Sequence, residues 1–385
     1  MTSKGTSTAK HRAGRFFEDF RLGQVIRHGT PRTITDGDAA VYTALTGSRH
    51  VTHSSAVVAR ELGFESRPID DLLLFNMAFG KTVPDISLNA IANLGYAEAR
   101  FLNPVFAGNT LHCESVVIGL RENSNGRSGI VYVRSTCYRE DSHAVLSWVR
   151  WVMVHKAVHK TAQKTAHAAD STTSARDQHV PDLLDHIAPN LLVACARLLS
   201  AEALENLREA TGSADVWDDY AIGERIDHPS GATIEEAEHM MATRLYQNNA
   251  RPHFDALAMQ HTPTGRRLVY GGHTMSVCRS LAYDGLENVL GVLAINGGTH
   301  VAPTVGGDTL YAYSEVLDKW KLPGRADVGA LRLRLVGLKN LAPTEVPGAR
   351  TRHEDGTTGW HPAVVLDLDY TVAMPRRPNG RTRAE

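Results

Sequence analysis

Apolar and polar positions alternate along the chain at two different periods, and the change of period recurs in a fixed order. Around residue 130 the period is two: Val131, Val133 and Ser135 fall on one side and Ile130, Tyr132 and Arg134 on the other, as in a strand. The same alternation returns with Leu331, Leu333 and Leu335 against Arg332, Arg334 and Val336. Between such runs lie helical stretches. In TIEEAEHMMATRLYQ, Thr233 and Glu236 have the spacing of a capping box at a helix start. Strand and turn, capped helix, histidine-bearing segment, longer helix and several strands follow one another twice. The pattern predicts an α+β chain in which each half lays a long helix on an antiparallel sheet.

The two halves also match residue by residue. DFRLGQVIRHGTPRTITDGD, from Asp19, overlies DYAIGERIDHPSGATIEEAE, from Asp219, and pairs Gly23 with Gly223, Ile26 with Ile226, His28 with His228, Thr33 with Thr233 and Ile34 with Ile234. The register continues through Leu45 and Leu245, His53 and His253, and Arg67 and Arg267. One position shorter, FLNPVFAGNTL overlies HVAPTVGGDTL, and Pro104, Gly108 and Thr110 meet Pro303, Gly307 and Thr309. A repeat this long is a domain duplication, because solenoid units recur every ~20–50 residues. The expected organisation is a tail over 1–15, a first domain over 16–157, a linker with a helical segment over 158–215, a second domain with the site over 216–375, and a tail over 376–385. In the linker, KAVHKTAQKTAHAADSTTSARDQ has no apolar periodicity, whereas LLDHIAPNLLVACARLLSAEALENL has helical spacing interrupted at Pro189.

Composition narrows the function classes. The 385 residues are 42% hydrophobic, enough for two cores, and 41 basic against 42 acidic residues leave a net charge of -1. Neither nucleic acid nor a membrane is expected as a partner. No run approaches the roughly 18 apolar residues of a spanning helix, and the first fifteen residues lack the apolar core of a secretory signal. A soluble cytoplasmic protein is expected, and association into a homo-oligomer is compatible with it. Cys113, Cys137, Cys195 and Cys278 form no C-x-x-C pair, so neither a metal site nor a disulfide framework is expected. GRSG at Gly126 reads as a hairpin turn, and His155, His159 and His167 as solvated side chains.

Candidate chemistry gathers in QNNARPHFD, Gln247 to Asp255, followed by GGHTM from Gly271. A histidine, two amides, an arginine and an aspartate supply acid/base and orienting groups, and glycine lets backbone approach a ligand closely. LYQNNARPHFD, RRLVYGGHTM and APTVGGDTL resemble, in order, the motifs L-S-G-D-x-N-P-L-H-x-D, R-P-I-x-H-G-M and P-V-x-x-G-D-T-L of the MaoC-like hotdog dehydratases. The first half offers LTGSRHVTHSS, SRPIDDL and NPVFAGNTL in the same order. Within that group the whole chain is most similar to the mesaconyl-CoA hydratases, through FGKTVPDISLNAIANLGYAEARFLNPVFAGNTL, ATRLYQNNARPHFDA and GRRLVYGGHTMS. The resemblance implies a double hotdog, an acyl-CoA thioester substrate, no metal or other cofactor, and reversible hydration of mesaconyl-CoA to β-methylmalyl-CoA.

It also implies roles for residues. His253 matches the family histidine, as His53 does in the first half, but the family aspartate falls on Asn248 and on Ser48, so neither half holds the full dyad. The expected catalytic set is His253 as acid/base, Asn248 positioning water, and Asp255 at the family's trailing aspartate. An amide at 248 avoids like-charge repulsion with a dicarboxylic substrate. Arg251, where the family has proline, is expected to pair with that carboxylate. Gly271, Gly272 and His273 are expected to bind substrate, with backbone N–H groups at the helix start receiving the thioester oxygen. In the first half, IDDLL from Ile69 sets two aspartates at the matching place, so that half is expected to shape the acyl and CoA tunnel while the second half reacts. The alternatives are an enoyl-CoA hydratase for another acyl chain, a hotdog thioesterase and a non-catalytic acyl-CoA-binding subunit.

Overall fold

The computed structural model describes residues 14–157, 178–197, 200–352 and 356–378. In the first half, strands β1 (Val25–Arg27) and β2 (Arg32–Thr33) lead into α1 (Asp36–Thr46), the short α2 (Val51–Ser54) and α3 (Ala56–Glu61), and the long α4 (Asp71–Ile86). Strands β3 (Ala90–Phe101), β4 (Thr110–Glu122), β5 (Ser128–Tyr138) and β6 (Ala144–His155) complete it. After α5 (Ala201–Thr211) the order repeats with β7 (Arg225–Thr233), α6 (Glu236–Leu245), α7 (Arg251–Phe254), α8 (Ala256–Met259) and α9 (Gly271–Leu281). Then come β8 (Gly291–His300), β9 (Thr309–Lys321), β10 (Val328–Lys339), a small hairpin of β11 (Arg350–Arg352) and β12 (Thr358–Trp360), and β13 (Val364–Pro375). Among the described residues no helix is long and apolar enough to cross a membrane.

One antiparallel sheet runs through both halves in the order β1-β4-β5-β6-β3-β8-β13-β10-β9-β7. The join is β3 against β8, with Tyr96 opposite Gly298 and Arg100 opposite Ala294. Helices α4 and α9 lie together on one face. Their buried residues, including Leu73, Phe75, Met275 and Val277, share a core with Trp148, Leu331, Leu333, Leu335 and Leu368 of the sheet. Each such side chain contributes about 1.5–3 kcal/mol by leaving water. On the other face, Arg332 and Arg334 pair with Asp369 and Asp367 across β10 and β13.

The duplicated residues repeat because they do the same structural work twice. His28 Nε2 lies 2.8 Å from Ser115 Oγ, and His228 Nε2 lies 2.9 Å from Ser314 Oγ. The Thr33 and Thr110 hydroxyls are 2.7 Å apart, and those of Thr233 and Thr309 2.8 Å. Gly108 and Gly307, at φ of 100° and 93°, turn the chain so that their N–H groups donate to Ile34 and Ile234 carbonyls.

Two local expectations change. The second-half cap lies two residues further on: α6 begins after Glu235, whose N–H donates to Glu238, while Thr233 ends β7. Glu236 instead receives Arg266, Arg267 and His239. Of the helical spacing read after Val180, only Ala201–Thr211 is an α-helix; Pro189–Leu191 is a single 3₁₀ turn. The stretch 178–197 is a strap whose backbone pairs with the sheet and its side chains, His179 with Leu120, Leu184 with Glu98 and Ile187 with Asn296. Gly126 does sit in the β4–β5 turn, its N–H donating to Asn123. His155 ends β6 and is exposed, whereas His159 and His167 lie outside the described residues.

Candidate active site

Short α7 carries His253, with Pro252 in its first turn. The Leu268 N–H donates to the Pro252 carbonyl, and the Leu268 carbonyl lies 3.0 Å from His253 Nδ1. That carbonyl can only accept, so Nδ1 carries the proton and Nε2 keeps its lone pair. Burial pushes the His253 pKa down to about 4 against the opposing hydrogen bond to Leu268, so the ring is a neutral base at physiological pH. Asn248 is buried, and its Oδ1 accepts the Ala250 N–H at 3.1 Å, which leaves the amide NH2 to donate. It is buried because α4 passes close by: a Cβ on Gly80 would sit 1.9 Å from the Tyr246 carbonyl oxygen and 3.4 Å from Asn248 N.

The start of α9 is open. Its N-cap, Tyr270, makes no side-chain cap, and among the described residues no acceptor meets the N–H of Gly271 or Gly272. Such groups, at the positive end of a helix dipole, stabilise a developing oxyanion. The rings of Tyr270 and His253 are 5.5 Å apart. His300, from the end of β8, fills the space a Gly271 side chain would take, with Nε2 2.6 Å from that Cβ position. The same Nε2 lies 3.3 Å from the Tyr96 hydroxyl of the first half, and burial pushes the His300 pKa down to about 4.

The other expected site residues divide. Gly272 is required by helix packing, since a Cβ there would meet Asn76 Oδ1 at 1.9 Å; Asn76 donates to the Gly272 carbonyl and to Ser276 Oγ. His273 lies fully buried in the first turn of α9, and both ring nitrogens lack a protein partner among the described residues. Asp255 is corrected from a catalytic to a capping residue: it is exposed, and its Oδ1 accepts the Ala258 N–H at 3.0 Å to start α8. Arg251 is also displaced from its expected role. It is exposed at the start of α7, where water weakens any pairing with a carboxylate.

A different arginine is inside. Arg150 on β6 is fully buried, and none of its three guanidinium nitrogens has a hydrogen-bond partner among the described residues. Its Cζ stands 4.3 Å from the Phe79 ring centre of α4. Phe79 and Tyr270 lie 6.1 Å apart, which connects Arg150 to the wall beside His253. Burial lowers the Arg150 pKa to about 9, so it remains a cation at neutral pH. A cation–π contact recovers about 2 kcal/mol when desolvated. Burying an unpaired ion costs several kcal/mol.

In the first-half counterpart the polar groups engage one another, beside a small cavity of about 50 Å3 lined by His53, Asp71 and Leu290 among others. Asp70 caps α4 through Leu72 N–H at 2.9 Å and accepts the Ser48 hydroxyl at 2.8 Å. Asp71 Oδ2 lies 3.3 Å from His53 Nε2 and accepts the Val292 N–H of the second half at 2.7 Å. Burial alone would lower the His53 pKa, but the Asp71 charge and hydrogen bond outweigh it and raise it to about 9. His53 is thus an imidazolium in a brace between halves. A raised pKa stabilises the fold fully below the ordinary value near 6.5 and ceases to do so as pH rises through about 9. The thermal midpoint is expected to fall across that window, by the equivalent of about 3 kcal/mol at most, and Asp71→Asn to flatten the slope. Parallel slopes in a melting series would contradict the brace.

A model of the mesaconyl-CoA hydratase family matches residues 4–353. The chain belongs to the mesaconyl-CoA hydratase family. A β-methylmalyl-CoA dehydratase from Chloroflexus aurantiacus is 51% identical, over 96% of this chain and 99% of its own. A mesaconyl-CoA hydratase from Cereibacter sphaeroides is 50% identical, over 95% and 100%. The crystal structure of a MaoC domain dehydratase from C. aurantiacus matches with a TM-score of 0.87 at 51% identity, covering 96% of this chain and 100% of that one. A Mycobacterium tuberculosis protein with a double hotdog fold gives 0.69 at 23% identity over 94% and 98%, which speaks for the fold alone. The α+β architecture is a double hotdog.

In this member of the mesaconyl-CoA hydratase family, a cleft of about 690 Å3 is lined by Thr30, Lys81, Arg244, Asn248 and Phe254, among others. It brings both halves to Asn248. Sequence reasoning missed Arg150, Tyr96 and His300. Only Arg150 left a signal, a lone cation in VLSWVRWVMV on the same strand face as Trp148 and Val152.

Proposed function

We propose that the chain interconverts mesaconyl-CoA and β-methylmalyl-CoA, adding water across the double bond conjugated to the thioester, or removing it, at the start of α9. The observation that carries this reading is a neutral His253 with Nε2 unengaged, beside uncapped N–H groups of Gly271 and Gly272. Water, held by the Asn248 amide, gives a proton to His253 Nε2 as its oxygen bonds to the β-carbon. The double-bond electrons move toward the thioester, whose oxygen takes negative charge against the α9 N–H groups. As the enolate collapses, the α-carbon takes the proton back from the imidazolium, so one H and one OH have been added. The cleft suits the CoA moiety, with the exposed Arg244 available to its phosphates and the Lys81 ammonium, which donates to the Thr30 carbonyl, in its wall.

Mixing the protein with mesaconyl-CoA should consume the enoyl-thioester absorbance without releasing free thiol. Thiol release would instead indicate a thioesterase, turnover of crotonyl-CoA alone a monocarboxylic hydratase, and binding without turnover a silent subunit. Because protonated His253 cannot accept a proton from water, the acidic limb of kcat/KM against pH, which reports the free protein, is expected near pH 4. A limb near pH 6.5 would assign the base to a solvated histidine.

A further inference from the structure

We infer that Arg150 is the receptor for the free carboxylate of the substrate's acyl group. The inference rests on the proposed function, in which the substrate is a dicarboxylic thioester. Arg150 offers an unpaired fork of donors inside the core, where a carboxylate can accept two N–H bonds in parallel. It is fully buried, so only the part of a ligand that enters the core can reach it, and in a CoA thioester that part is the acyl group. Its position agrees. Phe79, against its guanidinium, precedes Gly80 and Lys81 of the cleft wall. Tyr96, opposite Arg150 on β3, reaches His300 beside Gly271.

Among the described residues no protein carboxylate takes the role. Asp85, toward the same end of α4, is engaged by His28 at 3.0 Å and Arg15 at 3.1 Å. Nor does the cation stand there for symmetry. Arg150 lies opposite Val133 and Tyr370 opposite Leu333, positions that match in the two halves, so the second half holds a tyrosine at the place of Arg150. The buried arginine of that half, Arg279, sits instead on the helix, at the place of Phe79, and meets His50. Arg150 therefore serves one site, the one at the start of α9.

The test compares succinyl-CoA with butyryl-CoA, which share chain length and differ in a terminal carboxylate against a methyl, by calorimetric titration of the full chain. The wild type should bind succinyl-CoA at least tenfold more tightly. Arg150→Met should abolish that preference, weakening succinyl-CoA by about a hundredfold and leaving butyryl-CoA within threefold. Retention of the wild-type preference in Arg150→Met would overturn the inference. Should the methionine variant not fold, Arg150→Lys keeps the charge without the fork and should lose at least fivefold of the preference; an unchanged preference there overturns it equally. Mesaconyl-CoA hydration by the wild type is followed separately. A wild type that does not hydrate, yet whose carboxylate preference is lost in Arg150→Met, would refute the proposed reaction and leave the receptor standing. An active wild type with an unaffected preference would do the reverse.

Discussion

His253→Ala should lower kcat for mesaconyl-CoA by a factor of about 10²–10⁴, the usual contribution of a positioned acid/base. Among the described residues, the alanine removes the only ring beside the α9 start whose second nitrogen is fixed by a backbone carbonyl, here Leu268. Little structural loss should accompany it, because α7 keeps its Leu268–Pro252 backbone bond and His253 retains some solvent exposure. His53→Ala is the matched comparison. It removes the brace to Asp71 and should lower the thermal midpoint while kcat stays within about threefold. If turnover instead collapses in His53→Ala and survives in His253→Ala, the roles of the two halves are the opposite of those argued.

Gly80→Ala should be the most damaging glycine-to-alanine exchange among the described residues. The added Cβ would meet a backbone carbonyl, that of Tyr246, at 1.9 Å, which no rotamer change relieves. Overpacked cores usually lose about 1–3 kcal/mol, and this contact belongs at or above the top of that range. The segment forced aside includes Asn248, so kcat should fall together with stability. Gly37→Ala, inside α1, is the control: its Cβ would touch only Thr35 Oγ1 at 3.4 Å, and the exchange should be neutral or slightly stabilising. Chemical denaturation of both variants decides the matter, and equal midpoints would mean that α4 and the histidine segment are not tightly packed.

How much was legible beforehand depended on the range of the interactions. The duplication, the strands and the histidine segments were readable because their signals are local: alternation, turn glycines, and residues such as His28 and His228 that meet equivalent partners. Tyr96 and His300 were not, because the β3–β8 join brings together strands about two hundred residues apart, and neither residue is unusual in its own segment. The cap at Glu235 shows competition of a similar kind. Thr233 had the right spacing, but pairing with Thr309 drew it into the sheet. The strap before α5 has helical spacing yet forms no α-helix, and N–H groups such as those of Leu184 and Ile187 find partners on the sheet instead. Asp255 and Arg251 were matched by position in a motif, and position does not reveal burial.

The two buried arginines carry a consequence for stoichiometry. Were the halves separate identical subunits, any cation placed beneath one helix would have to appear beneath both, and each assembly would take up two ligands. Covalent fusion lifts that restriction. Arg150 faces Phe79 in one half, while in the other the sheet position is Tyr370 and the helix position Arg279. The chain should therefore saturate at one dicarboxylic thioester per polypeptide, because only one half sets an unpaired guanidinium on the sheet beneath its helix.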